Sequence, residues 1–327
     1  MQIEPKSIKN ILVVRNDRFG EFLLNIPALR ALKETFINAK IIAVVNSSVR
    51  ELAESIPFID EIMEWDQGRH SILERVQLFN SLKTKEIGIA VMLNPCKEFN
   101  ILTYLAGIPI RVGYDRKWGF LLTHKMQDRE YLGQKHEIEY NLELVGLIGA
   151  KTQEKTLSLT INDSIVNGLF RDFKIGNEDS LIAVHPWTSD AIKQWPLENF
   201  CQLSRRLAQE PNAKVLIIGG REELAKSREL FDDFGSNVIN MTAKTTLGQL
   251  AALLKKCRLL ISGDSGPVHI ASCVGIPVIA LFRNDMPEKS SRRWGPTSRV
   301  NIVIAKNNLK DITVSEVFDK AKEFLSR

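Results

Sequence analysis

The stretch that decides the fold runs Leu259-Leu-Ile-Ser-Gly-Asp-Ser-Gly-Pro-Val-His-Ile-Ala-Ser-Cys-Val-Gly-Ile-Pro-Val-Ile-Ala-Leu-Phe282. Its apolar start, Leu259–Ser262, leads into a turn of small residues that is too tight for bulky ones. Pro267 suits the first turn of a helix, since its missing N–H would have no partner there. That helix ends at Gly275, and a second apolar run follows over Val278–Phe282. The pattern predicts a strand, a tight turn, a helix and a second strand.

A turn of this kind can hold a phosphate group. The start of the helix presents free backbone N–H groups and the positive end of the helix dipole. An ordinary βαβ crossover without any ligand fits the same residues equally well. The choice between the two depends on the rest of the chain.

Composition places the chain among globular proteins of about two domains. It has 327 residues, of which 44% are hydrophobic and 25% charged. No apolar run approaches the roughly 18 residues that span a bilayer, and the first residues lack an apolar signal region, so we expect a cytoplasmic protein. The four cysteines are scattered, which predicts reduced and mostly buried thiols rather than a disulfide set or a metal site.

The net charge of +5 arises in the second half of the chain. This excess is too small for a nucleic-acid partner, which would need a denser basic patch. A single anionic ligand or weak contact with a membrane surface is enough to explain it.

The first half alternates apolar strands with amphipathic helices, which predicts a parallel, doubly wound sheet. The expected strands are Ile11–Val14, Ile41–Val45, Ile62–Trp65 and Ile87–Leu93, and the expected helices are Phe22–Phe36, Ser47–Ser55, Ser71–Leu82 and His136–Leu147. Ligands of such sheets gather at the carboxyl ends of the strands, which places the loop Arg15–Glu21 at the edge of a site.

This loop carries two carboxylates beside a glycine. Asp17 or Glu21 could act as a general base that removes a proton from an acceptor hydroxyl. Alternatively, Asp17 caps the following helix and Glu21 complements its dipole.

A basic and aromatic cluster lies further along the first half. Arg111, Arg116, Lys117 and Lys125 stand there with Tyr114, Trp118 and Phe120 between them. The cluster could receive an anionic acceptor, with the aromatic rings against sugar or lipid, or it could be a solvated loop. His136 and Glu137, at the start of the next helix, are expected on the surface.

The second half repeats the α/β pattern after a crossing segment, Lys151–Ser180, that includes a short strand predicted over Thr156–Leu159. Lys193, in the loop after the strand Leu181–His185, could neutralise a diphosphate. Glu222 or Glu223, after the glycines that follow the strand Lys214–Ile218, could hold a ribose. The GxGxxG dinucleotide pattern is absent, which disfavours an NAD enzyme.

Five segments, taken in order, resemble glycosyltransferase family 9, the ADP-heptose:lipopolysaccharide heptosyltransferases. They are Arg15-Asn-Asp-Arg-Phe-Gly-Glu-Phe-Leu-Leu-Asn-Ile-Pro-Ala-Leu-Arg-Ala-Leu32, Ala106-Gly-Ile-Pro-Ile-Arg-Val-Gly-Tyr114, His185-Pro-Trp with Lys193-Gln-Trp-Pro196, Asn240-Met-Thr-Ala-Lys-Thr-Thr-Leu247 and Ser262-Gly-Asp-Ser-Gly-Pro-Val-His-Ile-Ala271. Each segment alone is a weak signal, but the ordered set is specific at family level.

The resemblance implies an α/β protein of the GT-B fold, with two Rossmann-like domains whose parallel sheets face a central cleft. Residues 1–165 would bind the acceptor and residues 166–327 the nucleotide-sugar, and the last helix is a candidate for packing back on the first domain. The implied reaction is inverting transfer of heptose from ADP-heptose to a lipopolysaccharide core or related glycan, without cofactor or metal. A lipid-linked acceptor would bring the protein to the inner face of the inner membrane as a peripheral protein.

The resemblance also implies roles for particular residues. Glu21 stands where the family usually has the catalytic Asp, and Asp17 is the second candidate. Arg283 stands where the family commonly has Gly. The implied donor-site residues are Lys193, Glu222, Glu223, Met241, Thr242, Asp264, Ser265, Gly266, Pro267 and His269. The implied acceptor-site residues are Arg15, Arg18, Arg111, Arg116 and Lys117.

Three other functions remain open on the sequence. A nucleotide-sugar-binding GT-B protein without turnover would bind ADP and transfer nothing. A GT-B sugar-nucleotide epimerase would act without an acceptor. A dehydrogenase, the weakest alternative, would have to bind NADH.

Overall fold

The computed structural model describes residues 3–325 and divides the chain into two compact units, Met1–Leu159 and Thr160–Arg327. The division lies inside the expected crossing segment, six residues before the boundary expected at 165. Within residues 3–325, no helix has the length and apolar character needed to cross a membrane.

The first unit holds one parallel sheet in the order β3-β2-β1-β4-β5-β6. Its strands are β1 (Asn10–Val14), β2 (Lys40–Val45), β3 (Glu61–Glu64), β4 (Ile87–Met92), β5 (Ile110–Tyr114) and β6 (His124–Met126). Its α-helices are α1 (Phe19–Leu23), α2 (Ile26–Thr35), α3 (Arg50–Glu54), α4 (Ile72–Thr84), α5 (Lys97–Leu105) and α6 (Glu137–Gly146). The central strands β1 and β4 are buried almost throughout, as expected when helices cover both faces of a parallel sheet.

The segment Phe22–Phe36, expected to be helical with a regular helix starting at Pro27, is two helices. The side chain of Asn25 donates from Nδ2 to the backbone oxygens of Glu21 (2.7 Å) and Phe22 (3.2 Å), which satisfies carbonyls that a continuous helix would bond itself. Pro27 lies in the first turn of α2, as the sequence predicts. Because α1 begins at Phe19, Glu21 lies on a helix rather than in the loop.

The second unit repeats the architecture, with a parallel sheet in the order β12-β11-β10-β7-β8-β9. Its strands are β7 (Ser180–His185), β8 (Ala213–Ile217), β9 (Val238–Asn240), β10 (Leu259–Gly263), β11 (Val278–Arg283) and β12 (Asn301–Lys306). Its α-helices are α7 (Asn167–Asp172), α8 (Leu197–Leu207), α9 (Leu224–Phe231), α10 (Leu247–Lys255), α11 (Gly266–Val274), α12 (Ser291–Trp294) and α13 (Val314–Leu325). The last helix packs into the core of this unit through Val317, Phe318, Ala321 and Phe324.

The stretch Leu259–Phe282 folds as predicted into β10, α11 and β11. Gly275 ends α11 in the left-handed conformation (φ 81°), which favours glycine because it has no Cβ. Strand β10 is fully buried between β7 and β11, so the tight turn after it opens at the carboxyl edge of the sheet.

The strand predicted over Thr156–Leu159 is wrong. The buried guanidinium of Arg30 donates to the backbone oxygens of Glu154 (2.7 Å) and Thr156 (3.1 Å), so this segment is held beside α2 by a side chain and not by a neighbouring strand. Conversely, β6 and β12 form where the sequence predicts no strand. Both are edge strands: β6 has only three residues and no apolar run, whereas β12 contains the apolar run Ile302–Ala305.

Candidate active site

The carboxylates of the first unit lie at the carboxyl edge of its sheet. Strands β1, β2 and β4 end level with one another, since Val14 is paired with Val44 and with Met92. The chain leaving β1 and the start of α1 border an open pocket of about 260 Å³. Its lining residues are Asn16, Asp17, Arg18, Glu21, Asn46 and Gln67.

Arg15 directly precedes the first lining residue of this pocket and holds Asp17 in place. Its guanidinium is buried and donates from Nε to Asp17 Oδ1 (2.8 Å) and from Nη1 to the Leu93 carbonyl (3.0 Å). Burial alone would lower the pKa of Arg15, but the negative charges of Asp17 and Glu137 raise it. The charged guanidinium of Arg15 is already bonded to Asp17 and Leu93. This arrangement fits a residue that positions Asp17 better than the acceptor-binding residue expected from the sequence.

The surroundings of Glu21 raise the pKa of its carboxyl group. Burial raises the pKa of Glu21, the nearby charge of Asp17 raises it further, and Arg15 and Arg18 oppose the shift. The largely exposed Arg18 places its Nη1 4.0 Å from Glu21 Oε1. The two carboxyl groups thus share one pocket, but of the two it is Asp17 that has a close, buried cation.

The surface position expected for Glu137 is wrong. Its side chain is buried, and its Oε1 lies 3.7 Å from Arg15 Nη2. Its helix, α6, packs against α2. His136 caps α6, accepting the N–H of Ile138 at 3.3 Å on Nδ1. Tyr114, at the end of β5, is also buried here, and burial with the neighbouring Glu130 raises the pKa of its phenol.

The expected acceptor arginines and lysine do not all reach this edge. Arg111 stands opposite Ala90, two residues before the end of β4, and its guanidinium donates to the carbonyls of Leu121 (2.8 Å) and Ile108. It therefore braces the loop beside β5. Arg116 pairs with Asp128, and Lys117 is exposed on the same loop.

Two buried amides at this edge are not predicted from the sequence. Asn16 donates to the Trp65 carbonyl (2.9 Å), and its Oδ1 accepts from Asn94 Nδ2 (3.3 Å). The Oδ1 atom of Asn94 is buried and has no hydrogen-bond partner within residues 3–325. The available signal was position, since Asn16 and Asn94 follow closely on the ends of β1 and β4.

In the second unit, three polar side chains contact one another in a row at the start of α11. Ser265 stands at the cap position of the helix, but its hydroxyl lies 2.7 Å from Ser262 Oγ and makes no capping bond to the described part of the helix. Ser262 Oγ in turn lies 3.3 Å from His185 Nδ1. Burial lowers the pKa of His185 to about 4, so its ring is neutral at pH 7.

The first backbone N–H groups of α11 lie beside the tight turn that follows β10. The Val268 N–H donates to the Ser265 carbonyl (3.2 Å), and Pro267 has no N–H. Ser265 and Gly266, the cap and first residues of α11, supply the other N–H groups at the start of the helix. An anion placed there would meet these donors together with the positive end of the helix dipole.

Lys193 reaches the same turn. Its Nζ lies 2.6 Å from Asp264 Oδ2, and both side chains are mostly buried. The 3-10 turn Ala191–Lys193 that carries it starts at Asp190, whose side chain accepts the N–H of Ile192. The structure therefore brings together Lys193, Asp264, Ser265, Gly266 and Pro267 at the carboxyl edge of the sheet.

The remaining expected donor residues lie at the neighbouring strands β8 and β9 and within α11. Glu223 folds back over Gly220, where an added Cβ would be 3.0 Å from its Oε2, whereas Glu222 is exposed. Met241 and Thr242 are fully buried, and the Thr242 hydroxyl lies 2.8 Å from Ser227 Oγ, so their side chains belong to the core. His269 is likewise buried, within α11.

Trp187 is a feature of this site to which the sequence assigns no role. Its indole lies on Gly219, where an added Cβ would come within 2.5 Å of Nε1, and its ring meets Phe231 edge-on at 6.3 Å. The Trp187 Nε1 donor is buried and has no hydrogen-bond partner among the described residues.

Arg283, the other departure from the family pattern, is neutralised locally. It ends β11 and donates from Nε to Asp285 Oδ1 (2.9 Å), and its Nη1 lies 3.3 Å from the carbonyl of Ile192. It thus ties β11 to the turn that carries Lys193. Over residues 3–325, no cluster of three or more His, Cys, Asp or Glu side chains has the arrangement of a metal site.

The chain is similar to known proteins both in structure and in sequence. The structure matches that of the Escherichia coli ADP-heptose lps heptosyltransferase II with a TM-score of 0.84, at 22% identity and covering 97% of this chain and 98% of that one. Two parallel six-stranded sheets of this kind define the GT-B fold. The profile of glycosyltransferase family 9 (heptosyltransferase) matches residues 75–322, and the chain belongs to that family. It is a glycosyltransferase.

Two relatives agree with this assignment. A Haemophilus influenzae protein, whose name goes no further than glycosyltransferase, is 27% identical over 309 residues, covering 91% of this chain and 89% of its own. The Salmonella typhimurium lipopolysaccharide heptosyltransferase 2 is 23% identical over 292 residues, covering 85% and 84%.

Proposed function

We propose that the protein transfers heptose from ADP-heptose to the core of a lipopolysaccharide or a related surface glycan, with inversion at the anomeric carbon. The observation that carries the proposal is the Lys193–Asp264 pair at the start of α11, a place suited to a diphosphate. Support for the donor and acceptor comes from the relatives, whose names specify ADP-heptose and lipopolysaccharide.

In this proposal, Glu21 is the general base. Its carboxylate takes the proton of the acceptor hydroxyl, and the oxygen attacks the anomeric carbon from the face opposite the diphosphate. The bond between that carbon and the phosphate oxygen breaks, and ADP leaves with the electron pair. A carboxylate with a raised pKa accepts a proton more readily than an ordinary one, which suits Glu21 to this role.

The leaving ADP would be stabilised in the second unit. Lys193 and the N–H groups of Ser265 and Gly266 would bear on the diphosphate, where negative charge develops. Asp264 would hold Lys193 in position, as it does in the structure.

The nucleoside would lie beyond the diphosphate, toward β8 and β9. Glu223 is better placed than Glu222 for the ribose, since its carboxylate already lies over Gly220. Met241 and Thr242 would contribute backbone atoms and shape, because their side chains are buried.

The test is titration of the protein with ADP, UDP and GDP, followed by a transfer assay with ADP-heptose. We expect preferential binding of ADP, and a loss of about tenfold or more when Lys193→Ala removes the cation. Lys214→Ala is the matched control. Lys214 lies near the amino end of β8, away from the carboxyl ends of the strands, and donates to Asn237 Oδ1.

The outcomes separate the alternatives. Preference for UDP or GDP would discard heptose as the donor, and binding without transfer would assign a nucleotide-sugar-binding protein. Release or isomerisation of the sugar without an acceptor would assign an epimerase.

A further inference from the structure

The turn that carries Lys193 has almost no apolar packing of its own. It is a 3-10 turn of three residues, Ala191–Lys193, and both Ala191 and Ile192 are exposed. A surface turn this short is readily displaced, and fixing a lysine side chain costs conformational entropy. The Lys193 ammonium is nevertheless mostly buried against Asp264, and it is polar contacts that hold the turn in place.

Asp190 makes the first of these contacts through both of its carboxylate oxygens. Its Oδ1 atom accepts the backbone N–H of Ile192 at 3.1 Å, which caps the turn. Its Oδ2 atom accepts from Lys289 Nζ at 2.6 Å. The lysine lies 99 residues further along the chain, so this one carboxylate joins the turn to a distant segment.

Arg283, the last residue of β11, makes the second contact. Its Nη1 atom donates to the Ile192 carbonyl at 3.3 Å. The rest of the guanidinium donates to both carboxylate oxygens of Asp285, from Nε at 2.9 Å and from Nη2. A bidentate pair fixes the plane of the guanidinium, and therefore also the direction in which Nη1 reaches the turn.

Both contacts come from residues 283–289, which we call the clamp segment. At one end it continues the buried part of β11, and the Asn284 N–H donates to the Lys306 carbonyl of β12 at 3.3 Å. Near its other end, the Glu288 carbonyl accepts from the Trp294 indole at 2.8 Å. The clamp segment is thus tied to the sheet and to α12, and it can serve as a fixed support for the turn.

We propose that the clamp segment positions Lys193 for the diphosphate before the donor binds, with Arg283 and Lys289 as positioning residues. The inference rests on the proposed function, since it concerns the same donor site. Both cations of the clamp segment are already engaged by aspartates of their own. They therefore act through the turn rather than as direct ligands. A cation that is in place beforehand needs no rearrangement when charge develops on the leaving group.

Titration with ADP measures the effect on the site. The affinity falls in proportion to the fraction of molecules in which Lys193 is correctly placed. We expect the clamp variants Arg283→Ala and Lys289→Gln each to weaken ADP binding about three- to fivefold, and Arg283→Lys, which keeps a donor, to lose less. Lys320→Gln is the matched control, since it removes a similar ion pair, with Glu323 on α13, and should bind ADP like the wild type.

A double-mutant cycle separates positioning from direct contact. In the Lys193→Ala background there is no ammonium left to position, so adding Arg283→Ala should cost little further ADP affinity. The two losses would add if the arginine contacted the nucleotide itself, and that result would overturn the proposal. Wild-type ADP affinity in both clamp variants would overturn it as well.

Hydrogen exchange of the nucleotide-free protein tests the clamp segment without any ligand. The N–H groups of Lys193 and Gln194 donate within the turn, to the carbonyls of Asp190 (2.9 Å) and Ala191 (3.2 Å). In the clamp variants these N–H groups should exchange about threefold or more faster, with global unfolding unchanged. Unchanged exchange would overturn the proposal even if ADP affinity fell.

The two proposals fail in distinguishable ways. If the wild type binds ADP and the clamp variants match it, positioning by the clamp segment is wrong and the proposed function stands. If the wild type prefers UDP or GDP and the clamp variants lose that affinity, the proposed donor is wrong and the positioning stands. If the wild type binds no nucleotide, the proposed function and the role of Lys193 fail together.

Discussion

Glu21 and Asp17 share one pocket in different electrostatic surroundings. Asp17 accepts a buried bond from Arg15, whereas the cation paired with Glu21, Arg18, is exposed and 4.0 Å away. The pKa of Glu21 is raised by burial and, to a smaller extent, by the charge of Asp17, so Glu21 is suited to take up a proton.

Glu21→Gln should lower the rate of transfer by about 10²–10⁴-fold, the usual effect of removing a positioned base. ADP affinity should be unchanged, because Glu21 belongs to the first unit and Lys193 to the second. The measurement is kcat/KM in the transfer assay together with ADP titration. Arg18→Gln is the companion variant and should reduce the rate much less. A Glu21→Gln rate within a few-fold of wild type would remove Glu21 from the base role.

Asp17→Asn should move the acid limb of the pH profile of kcat/KM to lower pH. Glu21 must be ionised to act as a base, so activity falls as the pH drops through its raised pKa. The charge of Asp17 contributes to that raised value, and its removal also frees Arg15 to stabilise the Glu21 carboxylate. Both effects lower the pKa of Glu21. An unmoved acid limb would mean that another group sets it.

His185 should make the protein less stable in mild acid. Its pKa is about 4 in the folded state and about 6.5 when the ring is exposed, so the unfolded chain binds more protons between these values. Stability therefore falls as the pH drops from 6.5 to 4, by at most about 1.4 kcal/mol per pH unit for one group. Urea unfolding at pH 7 and pH 5 measures this, and His185→Gln should show a smaller difference between the two.

The contact between Trp187 and Gly219 joins the ends of β7 and β8. An added Cβ at Gly219 would lie 2.5 Å from Trp187 Nε1, and the indole is fixed by Phe231 behind it. Gly219→Ala should therefore destabilise the protein by about 1–3 kcal/mol, measured by thermal unfolding. Adding Trp187→Ala should restore part of the loss caused by the alanine.

The control for that pair is Gly168→Ala, in α7. An added Cβ there meets nothing within 4 Å, and the residue is helical. This substitution should be neutral or stabilise by up to about 1 kcal/mol, since alanine is the better helix former. If both substitutions behaved alike, crowding at Gly219 would not be the cause.

Elements with strong local signals are the ones that the sequence predicts well. Pro267 and Gly275 bound α11 as the sequence predicts, and both act through short-range chemistry. Strand β6 escapes detection because it has only three residues, none of them buried. The break between α1 and α2 depends on hydrogen bonds of the Asn25 side chain.

The candidate site, too, could be predicted from the sequence only in part. Its loops could be predicted, because carboxyl ends of parallel strands carry ligands whatever the sequence details. The buried pairing of Arg15 with Asp17 and Glu137 could not, since Glu137 lies over a hundred residues away and its neighbours in sequence resemble a surface helix. The use of Arg111 as a brace depends on carbonyls of a loop whose path only the structure gives.

Each of the two units has its own sheet and its own buried core. The buried cluster of the second unit is built from residues 182–324. A fragment spanning 160–327 should therefore unfold cooperatively and bind ADP with the same dependence on Lys193 as the full chain. Circular dichroism melting and titration of the fragment measure this. A folded fragment without ADP affinity would mean that the first unit supplies part of the nucleotide site.

The separation of the two sheets along the chain has a consequence for biosynthesis. All six strands of the first sheet are complete by Met126, and that unit ends at Leu159. The first unit can thus fold on the ribosome while β7 is still being translated, since domains generally fold as units in order of synthesis. Sheets whose neighbouring strands are far apart in sequence fold slowly, and this order keeps the two sets of unpaired strands from being exposed at the same time.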